Sequence, residues 1–280
     1  MKLSNGAKVA VALAPLAIAG SILLTEAALS TSAITARVSI SSSAEEANAA
    51  SSDPSINEDG RFIAFTSNAS NLVSDDANGI QDIFVHDWAL DQTERVSIST
   101  VGAEANGDSA NPSISGDGRF IVFESLANDL VPSDTNNVSD IFLHDRESHT
   151  TTRVSLSSNG NQANGKSTTP AISSDGNVVV FVSEATNMVL GTNATPKIYT
   201  YDIPSGNSEL ISVTTGGTSP TAWSYAPSIN ADGSIVAFSS EAADLVLNDI
   251  NLTKDVFVRD RTTHSTELIS ISMDGVNPGN

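Results

Sequence analysis

The dipeptide Asp-Gly returns at Asp59-Gly60, Asp117-Gly118, Asp175-Gly176 and Asp232-Gly233, spaced 58, 58 and 57 residues apart. A proline precedes each by five residues, at Pro54, Pro112, Pro170 and Pro227. The segments DIFVHD, DIFLHD, KIYTYD and DVFVRD begin at Asp82, Asp140, Lys197 and Asp255 in the same register. The segments RVSIS, RVSIS, RVSLS, LISVT and LISIS begin at Arg37, Arg95, Arg153, Leu210 and Leu268. Four complete units therefore follow one leading copy of the last segment. A period of this length requires a repeat architecture, because one unit cannot bury its own apolar faces and must stack on its neighbours.

Each unit predicts four short strands. The first, PSIS, ends in an Asp-Gly hairpin turn. The second (FIAF, FIVF, VVVF or IVAF) is apolar at consecutive positions, as a strand covered on both faces must be. The third is the DIFVHD type. The fourth is assigned to RVSIS, where apolar Val96 and Ile98 alternate with Ser97 and Ser99. Radially stacked four-stranded sheets with dry inner strands and a wet outer strand describe an all-β propeller. The predicted organisation is a signal peptide over 1–33 and a propeller domain over 34–280. The domain comprises an outer strand at 36–41 and blades at about 53–99, 111–157, 169–214 and 226–272.

The repeat resembles the WD40-like propeller repeat of TolB-type proteins. The matching residues in the second unit are Pro112, Ser115, Asp117, Gly118, Phe120 to Phe123, Ile141, Phe142 and Asp145. The resemblance runs from about Arg37 to Ser272. It implies a β-propeller that serves as a binding or scaffold module of the bacterial envelope, a family in which some propellers are fused to peptidases. The units here exceed the roughly 40–45 residues usual for such blades.

With 13 Lys and Arg against 33 Asp and Glu, the net charge of −20 repels phosphate backbones and anionic lipid. Nucleic-acid and membrane-surface partners are thereby excluded. The chain has no cysteine, so disulfides, thiolate nucleophiles and zinc-thiolate sites are excluded as well. Lys2 and Lys8, an uncharged run from Val9 to Leu24 and small residues at Thr31 and Ala33 predict a secretory leader cut after Ala33, with Ala27 second. That leader implies a secreted or periplasmic protein with no membrane span after cleavage.

The loops between second and third strands carry the clearest chemistry. Asp76, Asn78 and Asp82 recur as Asp134, Asn136 and Asp140, and again as Asp249, Asn251 and Asp255. The third unit offers Thr192, Ala194 and Lys197 instead. Clustered carboxylate and amide oxygens suit Ca²⁺, which takes six to eight oxygen ligands. Asp and Asn that cap turns through local hydrogen bonds give the same pattern, and both readings stand. Trp223 and Tyr225 break the repeat in the third linker and are candidate contacts for a protein or carbohydrate partner in the cell envelope.

Other motifs point to structure. Gly160 to Ser167 spells the phosphate-loop pattern, but between two strands and with no helix to follow it. His86 and His144 share a repeat position that Tyr201 and Arg259 fill elsewhere, and a catalytic base is not so exchangeable. The expected function is a protein- or ligand-binding scaffold. The alternative is a propeller hydrolase or lyase with its site at the central channel. Five RVSIS-type segments against four of each inner strand further predict an incomplete ring that self-associates, in preference to a closed four-blade ring.

Overall fold

The computed structural model describes residues 35–247 and 249–272. The chain divides into Met1–Ala36 and Arg37–Asn280, and every strand belongs to the second unit. The predicted leader and its cleavage sites lie outside the described residues. No helix occurs among the described residues, and so none is long and apolar enough to cross a membrane.

Among the described residues, sixteen strands form four antiparallel sheets, each in the order of the chain. Blade 1 holds β1 (Ser51–Ile56), β2 (Phe62–Ser67), β3 (Asp82–Asp87) and β4 (Gln92–Arg95). Blade 2 holds β5 (Ser109–Ile114), β6 (Phe120–Ser125), β7 (Asp140–Asp145) and β8 (Thr150–Arg153). Blade 3 holds β9 (Ser167–Ile172), β10 (Val178–Ser183), β11 (Lys197–Asp202) and β12 (Asn207–Leu210). Blade 4 holds β13 (Ser224–Ile229), β14 (Ile235–Ser240), β15 (Asp255–Asp260) and β16 (Ser265–Leu268).

The third strands fall where DIFVHD and its copies predict. The fourth strands do not. Arg95, Arg153, Leu210 and Leu268 close them, and the rest of RVSIS leaves the sheet. That remainder crosses to the outer strand of the following blade. Thr151 in β8 donates its hydroxyl to the Ile98 carbonyl, and Ser208 in β12 does the same to Leu156 at 2.5 Å. The leading copy serves blade 1 in the same way, with Thr93 Oγ1 donating to Ile40 O at 2.5 Å. Residues 36–41 are therefore not an outer strand of a missing blade. Their one bridge is Ile40 to Glu46, matched by Ile98 to Glu104 and Leu156 to Gln162. The VSIS segment belongs to a latch between blades, and its burial does not alternate: Val96, Ser97 and Ser99 are buried and Ile98 is half-buried, so the serines face inward as well.

Proline fits the first strands because each is bulged there. Register slips between Ser52 and Ser55, and Asp53, Asn111, Thr169 and Ala226 before the prolines all have positive φ. A bulge leaves one residue unpaired, so the missing proline N–H costs no ladder bond. The Asp-Gly turns are type I turns closed by a left-handed glycine: Gly60 (φ 76°) donates its N–H to Asn57 O at 3.1 Å.

The core lies between consecutive sheets. Ala64, Ile83, Val85 and Val96 of blade 1 and its latch pack on Ile114, Ile121, Phe123 and Phe142 of blade 2, and the 2–3 and 3–4 contacts repeat this pattern. Each such large side chain contributes roughly 1.5–3 kcal/mol on burial. The series does not close into a ring, because blade 4 does not pack on blade 1. Val256 and Ile269 are 43% and 49% exposed, whereas their counterparts Ile83 and Val96 are fully buried. At the other end Ile56 is 63% exposed, whereas Ile114 is buried.

Candidate functional site

Strand alternation sorts the connections by end. The β2–β3 loops and the inter-blade linkers meet at one end, where Asn78 Nδ2 donates to Ala105 O at 3.2 Å and Ser109 N to Gln81 O at 2.9 Å. The Asp-Gly turns crowd the other end: Gly116 N donates to Ser174 O at 2.8 Å and Asp175 N to Ala231 O at 2.9 Å. The Asp/Asn loops and the Trp223 linker thus share one face, on a scaffold of buried strands. Loops so placed are where binding residues concentrate.

In blade 1, Asp76 and Asp82 face a cation the sequence pattern did not single out. Arg95 Nη1 lies 3.4 Å from Asp76, 3.7 Å from Asp82 and 2.6 Å from Glu104, with the arginine and both aspartates buried. Ser97 donates to Asp82 Oδ1 at 2.5 Å, and Asn78 to Asp82 Oδ2 at 2.9 Å. Asn78 also caps its own turn by accepting from Ile80 N at 3.1 Å. Blade 2 repeats the arrangement. Arg153 Nη1 lies 3.5 Å from Asp134 and 3.7 Å from Asp140, and Asn136 donates to Asp140 at 2.9 Å. Gln162 replaces Glu104 and bridges Asp134 (2.7 Å) and Asp140 (3.1 Å). Burial raises the Asp82 and Asp140 carboxyls above the ordinary range, against the serine hydrogen bonds that lower them.

Blade 3 brings its own ammonium in place of the last Asp. Lys197 Nζ donates to Asn193 Oδ1 at 2.9 Å and to the Thr195 carbonyl at 3.1 Å, and burial lowers its pKa to about 8. Blade 4 keeps the acids without the base. Ser270 donates to Asp255 Oδ1 at 2.5 Å, but Leu268 stands where Arg95 and Arg153 stand. The arginines were legible as the first letter of RVSIS at 95 and 153, against leucine at 210 and 268. Only the fold shows that this letter points at the Asp/Asn loop.

The aromatic pair is brought together. Trp223, 49% exposed, meets Tyr225 edge-on with ring centroids 5.9 Å apart. Lys254 Nζ sits 5.6 Å over the Tyr225 ring, and the Tyr225 hydroxyl donates to Glu241 at 3.2 Å. Trp88 instead packs edge-on to His86 at 6.4 Å. His86 and His144 are buried beside Thr93 and Thr151 at 2.9 Å. The Gly160–Ser167 segment runs into β9, so its amides have no helix dipole with which to hold phosphate.

No protein-family model and no curated protein matches the chain. Among solved structures, TolB from Acinetobacter baumannii is 18% identical, with 81% of this chain and 45% of that one covered and a TM-score of 0.50. The putative TolB from Agrobacterium tumefaciens is 19% identical over 77% and 63%, with a TM-score of 0.49. The β-propeller domain of the Trilobed protease from Pyrococcus furiosus is 14% identical over 80% and 57%, with a TM-score of 0.46. The chain thus spans about half the length of the first of these and under two thirds of the others. What they share with it is fold, and by fold the chain is a four-bladed β-propeller arc similar to the propeller of TolB.

Proposed function

We propose that the chain is a binding module of the extracytoplasmic space and that Trp223 and Tyr225 contact its ligand. The observation that carries this reading is the aromatic pair on the long-loop face, Trp223 exposed and Tyr225 half-buried, flanked by Lys254 and Glu241. Aromatic faces with a cation and a carboxylate beside them suit a sugar ring or a polypeptide side chain. Catalysis is the weaker reading, since the buried polar groups recur blade by blade as parts of the scaffold. The extracytoplasmic location rests on the leader-like N-terminal sequence.

The chain has two tryptophans. A Trp88→Phe variant leaves Trp223 as the reporter, and its emission is titrated with envelope oligosaccharides and with peptides. A saturable change that Tyr225→Ala abolishes, with no product formed, is the expected result. Turnover of either ligand class, or an unchanged emission throughout, overturns it.

The exposed Val256 and Ile269 at one end and Ile56 at the other favour a second reading, association of copies end to end. Concentration-dependent sizing tests it, and a monodisperse monomer at all concentrations overturns it.

A further inference from the structure

Each of the first three blades provides a positive charge at its Asp/Asn loop. Blades 1 and 2 supply Arg95 and Arg153 from the end of the fourth strand, and blade 3 supplies Lys197 from the start of the third. In blades 1 and 2 the arginine gives the buried carboxylates a cation partner, while in blade 3 Lys197 replaces the last acid and is held by Asn193 and the Thr195 carbonyl.

Blade 4 lacks this balance. Asp249 and Asp255 are 6% and 3% exposed. Both Asp249 oxygens and Asp255 Oδ2 are buried with no hydrogen-bond partner. Among the described residues, no Lys, Arg or His forms an ion pair with either carboxylate. Leu268 turns instead into the apolar contact with Phe257 and Phe238. The equivalent oxygens in blade 1 are taken up by Asn78 and Arg95, and in blade 2 by Asn136, Gln162 and Arg153. The fourth loop therefore keeps the anionic half of a buried ion cluster and has lost the cationic half.

We propose that the fourth loop binds one Ca²⁺ between Asp249 and Asp255, in the place that a guanidinium occupies in blades 1 and 2. Two carboxylates with no nitrogen or sulfur donor beside them form a hard-oxygen site. Calcium accepts main-chain carbonyls and water for its remaining ligands without fixed geometry. A divalent ion offsets both charges at once, whereas one shared proton offsets only one. The ion also pins the loop that carries Lys254 over Tyr225, which couples metal to the aromatic pair.

Chelated protein is titrated with Ca²⁺ while its melting temperature and binding heat are followed. Three forms are compared: the unaltered chain, Asp249→Asn and Leu268→Arg. The unaltered chain is expected to bind about one ion and to melt on the order of 5 °C higher at a hundredfold excess over the dissociation constant. Asp249→Asn removes one charge with little change of shape and is expected to lose the calcium response. Leu268→Arg restores the residue of blades 1 and 2 and is expected to melt at the same temperature with and without calcium. If Leu268→Arg fails to fold, Asp249→Asn decides alone. A melting temperature indifferent to calcium in the unaltered chain, or a calcium shift that survives Asp249→Asn, overturns the proposal. The shared-proton alternative shows itself as a melting temperature that mild acid raises and calcium leaves unchanged.

Discussion

His144 Nδ1 lies 2.9 Å from Thr151 Oγ1, and the threonine hydroxyl in turn donates to the Ile98 carbonyl. A hydroxyl that spends its proton on a carbonyl must accept from the ring, which assigns the neutral Nδ1–H tautomer to His144. His86, Thr93 and Ile40 repeat the chain one blade earlier. The imidazole is thus a spacer that ties the latch between blades to the third strand.

Burial lowers the His144 pKa to about 4 from the ordinary 6.5, and His86 moves in the same direction for the same reason. The unfolded chain therefore takes up protons first as the pH falls. Stability is complete above about pH 6.5, drains away between 6.5 and 4, and changes no further with this group below 4. The shift corresponds to about 3 kcal/mol for His144. Urea midpoints at pH 7.5 and pH 5 measure it, and His144→Tyr, the residue blade 3 carries at Tyr201, should flatten the difference. An equal acid loss in the variant would remove histidine as the cause.

The Asp-Gly turns offer a contrast between an end blade and an inner one. Gly60 and Gly118 share the same left-handed φ, 76° and 75°. A Cβ on Gly118 would stand 2.2 Å from the Phe62 ring of the preceding blade, whereas on Gly60 the nearest atom is 3.8 Å away. Phe62 cannot swing aside freely, since the Arg61 and Arg146 guanidiniums lie 4.6 and 4.2 Å from its centroid. Gly60→Ala should cost about 1 kcal/mol, from backbone strain alone. Gly118→Ala should cost at least about 2 kcal/mol, because overpacking is added to the strain. Equal losses in denaturant titrations would deny the contact between blades.

Much of this architecture was legible in residue spacing. Phe62–Ser67 and its copies appear where FIAF and its counterparts place them, because a strand covered on both faces must be continuously apolar. RVSIS has a different role from the one its alternation predicts: Ser97 and Ser99 are buried along with Val96, because the segment is a latch lying between blades and not an outer strand wet on one face. The pairing of Arg95 with Asp76 and Asp82 was not legible. It joins residues on two connections, and nothing in their separate patterns shows that strand reversal brings them to one end. Trp223 and Tyr225 stood out because they break the repeat, while Leu268 was hidden because leucine looks at home in an apolar segment.

Arg95 gives the most direct test of why the loops differ. Its side chain is almost wholly buried among Asp76, Asp82 and Glu104. Arg95→Leu gives blade 1 the residue blade 4 already has and leaves two buried carboxylates without their cation. Removing one partner of a buried ion cluster costs about 3–5 kcal/mol, most of it the desolvation of the charges left behind. The variant should therefore melt well below the unaltered protein in chelator. Adding Ca²⁺ should recover part of that loss, because Asp76, Asp82 and Glu104 then present more carboxylate oxygen than the fourth loop does. The same ion should do nothing at blade 1 while Arg95 remains, since the guanidinium and the metal compete for one place. Melting curves of Arg95→Leu in the Asp249→Asn background, with and without calcium, isolate the first loop from the fourth. Recovery there would make arginine and calcium interchangeable at this position, and its absence would mean that the loop is built for the guanidinium alone.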